Sequence, residues 1–240
     1  MEGDPRLPIY LRLQDELSGR IASQEWRAGE AIPSESELAG RYRVSVGTLR
    51  KALDLLVAEG QLERIQGKGT FVRRPRFDSS LFRFFRFQNQ AGERRIPRGR
   101  VLGVEVISPP AAVASRLNLA AGAQAIHLDR LRLMDAVPLL VESIWLPQDR
   151  FAALAELRPE QFGDLLYSLY EERCGQTVAS AEETLTAEAV SPDHALLLGI
   201  QPGAPVMVIE RLAFGYDHQP LEWRRSRGPA DQFLYTATIR

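Results

Sequence analysis

The feature that most restricts how this chain can fold is a repeat within its C-terminal part. Ser108-Pro109 is followed by Leu119, Gly122-Ala123 and Arg130-Leu131. Ser191-Pro192 is followed by Ile200, Gly203-Ala204 and Arg211-Leu212, and glycine leads arginine by eight residues in both copies. A segment that recurs with fixed internal spacing is expected to build the same supersecondary unit twice. Each copy reads as a helix, a glycine turn and a long strand, then a turn containing proline (Asp135 to Pro138, Asp217 to Pro220) and a return strand. Two such units pairing with each other give an antiparallel sheet with helices against it, an α+β domain of approximate internal symmetry. The intervening Phe162 to Cys174 reads as helical. Arg130 and Arg132 alternate with Leu131 and Leu133, so on a strand both guanidiniums face one side and both leucines the other. A pair of planar N–H forks suits a carboxylate or phosphate. Surface ion pairs of these arginines with Glu142 and Glu222 are the alternative reading.

The N-terminal part has a different rhythm. Ile9, Leu13, Leu17 and Ile21, four apart, form the apolar stripe of an amphipathic helix. Ala28-Gly29-Glu30 marks a turn, and Ser34 with Glu37 has the spacing of a capping box that starts a short second helix. Tyr42, Arg43 and Val44 lead to Ser45, a second N-cap, and a third helix follows from about Val46 to Glu59. It buries Leu49, Ala52, Leu53, Leu56 and Val57, and Gly60 ends it. Leu62, Ile65 and Thr70 to Val72 flank Gly67-Lys68-Gly69 as a hairpin. Helix, short helix, longer helix and hairpin, in that order, make a winged helix-turn-helix. In such a unit the second helix of the helix-turn-helix enters the DNA major groove, and the residues at its start reach bases and phosphates. Here Thr48 is a candidate for a base edge or phosphate, Arg50 for guanine or phosphate, and Lys51 for phosphate. A solvated helix face is the plain alternative for Arg50 and Lys51. Ser34 and Ser45 are caps that can also present a helix N-terminus to a phosphate.

Composition sets the frame around these elements. With 240 residues, 45% of them hydrophobic, the chain has the size of two domains. We expect a winged helix at 1–74, a linker at 75–80 and a second α+β domain at 81–240. The net charge of -1 conceals an asymmetry: residues 1–75 carry 12 Lys/Arg against 11 Asp/Glu, residues 76–100 carry 7 against 2, and the remainder 11 against 18. A cationic front and an acidic rear fit a DNA-binding region joined to a regulatory one. Cys174 is the single cysteine, which excludes an internal disulfide and fits a reducing compartment. No stretch approaches the roughly 20 apolar residues of a membrane span. The expected setting is the cytoplasm, with no membrane partner.

Residues 8 to 73 resemble the DNA-binding domain of the GntR family of repressors, in IPSESELAGRYRVSVGTLRKAL and LERIQGKGTFV. The rest is similar to the HutC-type effector domain, also called UTRA, in RVLGVEV, DRLRLMDAVPLLVESIWLP and HQPLEWRRSRGPADQF; that domain has the chorismate lyase fold. The first resemblance implies DNA contacts at Ser34, Glu35, Ser45, Val46, Thr48, Arg50 and Lys51. It also implies a minor-groove element at Gln66, Gly67, Lys68 and Gly69. Ser36 and Val46 stand where the family commonly has basic residues, so operator specificity does not carry over. The second resemblance implies an effector site formed by Phe85, Arg86, Arg130, Arg132, Glu142, Tyr167 and Glu222. Leu165 stands where the common pattern has a small polar residue, which points away from a sugar phosphate. Together the resemblances imply a homodimeric repressor of a double-stranded DNA operator, released by a small, anionic effector, with a hinge between Arg73 and Asp78.

Two other classes stay open on the sequence: a lyase-like small-molecule enzyme, and an adaptor that uses its winged helix without DNA. His127, His194 and His218 lie at no spacing that suggests a metal pair or a nucleophile-base pair. Gly67-Lys68-Gly69 lacks the remainder of a P-loop. No catalytic residue, metal or cofactor is expected.

Overall fold

In the computed structural model of the protein, residues 6–74 and 97–233 are described. They fall into two compact units, the described part of Met1–Pro75 with Gly215–His218, and the described remainder. The expected linker at 75–80, the segment holding Phe85 and Arg86, and most of the expected hinge lie outside the described residues.

The first unit opens with α1 (Ile9–Ala22), whose stripe buries Leu13, Leu17 and Ile21. Ser34 starts α2 (Glu35–Tyr42) by a reciprocal cap: its hydroxyl accepts the Glu37 N–H at 3.3 Å and the Glu37 carboxylate accepts the Ser34 N–H at 2.8 Å. Such a cap contributes about 1 kcal/mol by satisfying otherwise open amides. Arg43 takes a left-handed conformation (φ 55°) and turns the chain towards α3 (Val46–Ala58), which Ser45 caps by accepting the Thr48 N–H at 3.1 Å. Leu49, Ala52, Leu53 and Leu56 face inward from α3. The wing follows as β1 (Leu62–Ile65) and β2 (Gly69–Val72), antiparallel, with Leu62 opposite Val72 and Ile65 opposite Gly69. Gly67 (φ 74°) occupies the left-handed position that this tight turn demands.

The second unit contains the repeat as two copies of strand, helix, strand, strand. The first copy is β3 (Arg98–Ile107), α4 (Ala111–Arg116), β4 (Ala125–Met134) and β5 (Val137–Pro147). The second is β6 (Ser180–Ala189), α7 (Pro192–Leu198), β7 (Pro205–Phe214) and β8 (Pro220–Pro229). Between the copies lie α5 (Gln148–Ala155) and α6 (Leu166–Cys174). All six strands form one antiparallel sheet in the order β3-β4-β5-β8-β7-β6, so each copy is a three-stranded half and the halves meet along β5 and β8.

Alternation along the strands sends even positions of β4 and β5 to one face and odd positions to the other. Ile126, Leu128, Ile144 and Leu146 pack with Phe151 and Leu154 of α5 and with Leu169 and Tyr170 of α6. On the opposite face α4 covers Ala125 and Trp145, and α7 covers Leu131, Val141 and Val206. The expected helix over Phe162 to Cys174 is shorter than its sequence suggested. Pro159–Gln161 is a 3-10 turn, Gly163 takes a left-handed conformation (φ 63°), and the helix begins at Leu166. The residues 163 to 165 thus released from helical geometry turn out to matter for the site.

Leu17 has no exposed surface and lies on the α1 face that packs towards α3. Leu17→Ala should destabilise the winged helix by about 2–5 kcal/mol, the usual cost of truncating a buried leucine. Urea unfolding followed by circular dichroism checks this; a loss under about 1 kcal/mol would show that α1 is dispensable to that core.

Candidate functional site

At the start of α3, the Ser45 cap does more than satisfy one amide. Ser45 Oγ lies 2.8 Å from Thr48 Oγ1 as well as accepting the Thr48 amide, so the first turn of α3 has a fixed polar tip beside exposed Val46 and Gly47. Arg50, one turn on, is exposed and held by Glu35 at the start of α2: its Nε and Nη2 donate to Glu35 Oε2 at 3.1 and 2.7 Å. Glu35 also pairs with Arg64 of β1 at 3.6 Å. One carboxylate therefore links both helices of the helix-turn-helix and the wing, which orients the Arg50 fork. Lys51 lies over the Tyr10 ring of α1, 3.8 Å from its centroid, and so is anchored rather than loose. Gln66, Gly67, Lys68 and Gly69 form the exposed wing tip.

In the second unit, Arg130 and Arg132 face one side of the sheet as expected, and both are buried. They do not form surface ion pairs. Arg130 Nη1 lies 3.5 Å from Glu142 Oε2, while its Nη2 donates to the backbone carbonyls of Asp164 (2.6 Å) and Gly163 (3.3 Å). Arg132 Nη1 donates to the Asp164 carbonyl at 3.0 Å. Glu222 pairs with neither arginine; it accepts from Tyr167 Oη (3.1 Å), Tyr170 Oη (2.7 Å) and Arg224 Nη2 (2.6 Å). Arg224 also reaches Glu142 at 3.3 Å, and Ser226 Oγ donates to the same carboxylate at 3.2 Å. Arg211 donates to Tyr167 Oη at 3.3 Å and pairs with Glu183.

The expected residues Arg130, Arg132, Glu142, Tyr167 and Glu222 are thus brought into one buried cluster, joined by Arg211, Arg224, Glu183, Tyr170 and Ser226, which the sequence reading missed. The repeat was the signal for Arg211, since it occupies the position of Arg130 in the second copy. In this cluster four arginines face three carboxylates. The Nε–H groups of Arg130, Arg132 and Arg224 are buried without a hydrogen-bond partner among the described residues. Gly99 of β3 lies beneath the Arg130 guanidinium: a Cβ there would come within 2.0 Å of Nη2, so the absent side chain is what lets the arginine lie flat.

Burial opposes every charge in the cluster, and the pairing decides the outcome. Burial alone would raise the Glu142 carboxyl, but Arg224, Arg130 and Arg132 together with the Ser226 hydroxyl hold it at about 2. Burial and then the Glu222 charge push Tyr167 up to about 12, so it stays a neutral donor. Burial lowers Arg132 to about 10, which leaves it a cation at neutral pH.

On the other face, His127 meets a serine and a carboxylate that its sequence spacing did not reveal. Its Nε2 lies 2.8 Å from Ser143 Oγ and 3.6 Å from Asp129 Oδ1, and its ring stacks on Trp145 at 4.2 Å. Serine and carboxylate address the same ring nitrogen, whereas a catalytic relay needs one on each. Stacked on Trp145, His127 is a packing residue.

A winged helix followed by a sheet domain with a buried, arginine-rich polar cluster is the build of a DNA-binding regulator with an effector domain. Comparison with known proteins agrees. Residues 9–72 match the bacterial regulatory proteins of the gntR family and residues 92–233 match the UTRA domain. The chain is 32% identical over 214 residues to the "Probable fructoselysine utilization operon transcriptional repressor" of Escherichia coli K12, covering 89% of this chain and 87% of that one. It is 29% identical to the HTH-type transcriptional repressor NagR of Bacillus subtilis, covering 95% and 93%. The crystal structure of the ligand-binding domain of a GntR-family regulator from Bordetella bronchiseptica superposes with a TM-score of 0.59 at 29% identity, covering 70% of this chain and 99% of that one. The protein belongs to the GntR family of bacterial regulators and carries a UTRA domain. It is a transcriptional regulator and not an enzyme, and the matching DNA-binding domain favours this reading over the lyase and the adaptor. No helix among the described residues is long and apolar enough to cross a membrane.

The depressed Glu142 value carries a pH signature. A carboxylate held below its ordinary range of about 4.3 stabilises the fold fully above that value and loses its contribution as pH falls through the folded-state value. Glu142→Gln should cost about 3–5 kcal/mol, because it leaves buried guanidiniums uncompensated. Denaturant unfolding should show that deficit constant from pH 7 to about 5 and shrinking from about 4.5 downward. A deficit that did not change with acid would show that the carboxylate's charge is not what the fold uses.

Proposed function

We propose that this regulator is a repressor that binds a near-palindromic operator as a homodimer and leaves it when a small anionic effector occupies the Arg130–Arg132 site. The observation that carries this reading is the buried pair of guanidiniums on one sheet face, with an excess of arginine over carboxylate around it. Two recognition helices about one DNA turn apart, roughly 34 Å, match the half-sites of such an operator. Ser45, Thr48 and Arg50 face the major groove, Glu35 orients Arg50, Lys51 stands near the phosphates, and Gln66 to Gly69 approach the minor groove. Arg130 and Arg132 take the effector's anionic group, while Glu142, Glu222 and Tyr167 take its hydroxyl or amine groups. The names of the relatives support repression. One of them is named for the use of fructoselysine, a compound with a carboxylate and several hydroxyls, which fits a site pairing guanidiniums with carboxylates. The effector acts by binding the released state more tightly than the DNA-bound one, since equal affinity would shift nothing. The expected setting is the cytoplasm.

Fluorescence anisotropy with DNA from upstream of the protein's own gene, at two salt concentrations and against a non-specific duplex, tests the first half. Tight, salt-dependent and sequence-preferring binding is expected. Arg50→Ala should weaken it by about 1–3 kcal/mol. Arg132→Ala, which breaks no direct ion pair among the described residues, should leave operator affinity unchanged and abolish release by metabolites that displace the wild type. The reverse pattern, with Arg132→Ala losing DNA and Arg50→Ala losing release, would overturn the assignment of roles.

A further inference from the structure

Three of the four Nη donors that a carboxylate or phosphate would use on Arg130 and Arg132 are already occupied from within the chain. The carbonyls of Gly163 and Asp164 accept from Arg130, and that of Asp164 accepts from Arg132 as well. Two successive carbonyl oxygens aimed at two guanidiniums imitate the oxygens of an anion, without its charge. The left-handed Gly163 makes that presentation possible. The segment is pinned at a second point, because the Asp164 side chain accepts the Gly99 N–H at 2.7 Å. Gly163, Asp164 and Leu165 are exposed although the arginines they cap are buried, so the segment lies over the site like a stopper.

Beside it is a cavity of about 500 Å3 lined by Arg98, Gly99, Arg100, Leu133, Asp135 and Asp164, among others. Gly99 and Asp164 belong both to its wall and to the capped site. Its lining carries both signs of charge, exposed Arg98 and Arg100 beside Asp135 and Asp164. The buried Nε–H groups of Arg130 and Arg132, without partners among the described residues, mark how incompletely neutral carbonyls satisfy the pair.

We propose that the Gly163–Asp164 segment is a built-in occupant of the anion site, which an anionic ligand entering from this cavity must displace, so that the Asp164–Gly99 hydrogen bond sets the affinity for the effector. This rests on the effector reading above. It makes Asp164 an affinity-determining positioning residue: its carboxylate stays off the ligand, and loosening its anchor favours binding. A carboxylate or phosphate brings a negative charge that the carbonyls lack, and charge-assisted bonds to guanidinium are the stronger kind.

The test uses the full-length protein, with inorganic phosphate and D-glycerate as probes at constant ionic strength. Binding is followed by calorimetry, and opening by hydrogen exchange of the Gly99 amide. Wild type should bind weakly, and Gly99 exchange should rise as either probe saturates. Asp164→Ala should bind about tenfold more tightly, the effect of one lost charge-assisted anchor, with Gly99 exchange fast before any probe is added. Asp164→Asn removes the charge but keeps an acceptor for Gly99, and it should stay within about threefold of wild type.

Equal gains in Asp164→Ala and Asp164→Asn would overturn the stopper in favour of plain charge repulsion. Unchanged affinity in Asp164→Ala, with binding still abolished by Arg132→Ala, would overturn the stopper while leaving the effector site standing. Binding that survives Arg132→Ala, or no binding of either probe to any variant, would overturn the site itself.

Discussion

A carboxylate without exposed surface, Glu142, holds together the part of this molecule that distinguishes it from a bare DNA-binding domain. A lone ionised carboxyl in that position would be strongly destabilising, and it exists because Arg130 and Arg224 approach from two strands and Ser226 donates from the strand alongside. Each of those partners leads onward. Arg130 reaches the 163–164 segment and lies flat over Gly99, and Arg224 reaches Glu222, which in turn fixes Tyr167 and Tyr170 of α6. The network specifies geometry more than it adds stability, since buried ion pairs in general add little over apolar groups of the same volume. What an apolar core would lack is a face of oriented donors next to a recess.

The winged helix solves a smaller version of the same problem at its surface. Arg50 is a long side chain with many rotamers, and a contact to DNA would ordinarily have to order it. Glu35 does so in advance, and it ties Arg64 of the wing to the same point. Exposed pairs of this kind contribute little to stability. Their value here lies in where they leave the guanidinium.

Much of this was legible in the sequence, and what was not had physical reasons. The Ser34–Glu37 box and the Ser45 cap were legible because a cap is local: donor and acceptor are three residues apart. The repeat was legible because spacing alone encodes it, and it implied the two halves of the sheet. Alternation placed Arg130 and Arg132 on one face. Glu222 found other partners than the arginines of the alternative ion-pair reading, because which charges meet across β5, β8 and β7 depends on strand order and on irregularities such as the one between Ala213 and Phe214. The Gly163 and Asp164 carbonyls left no trace at all, because every residue has a backbone acceptor and side-chain identity does not say where it points. The helix expected to run from Phe162 concealed them further.

The midline of the sheet has a mechanical consequence. β5 and β8 pair over Val141–Trp145 and Trp223–Arg227, about half the span of the ladders on either side. Each three-stranded half is therefore stiff, and the line between them offers the least backbone resistance to shear. Glu142 on one side and Arg224, Glu222 and Ser226 on the other act as a rivet through that line. The fastening is made of charge, so a change in the charge balance at the rivet would alter how firmly the two plates are joined, with neither half needing to bend.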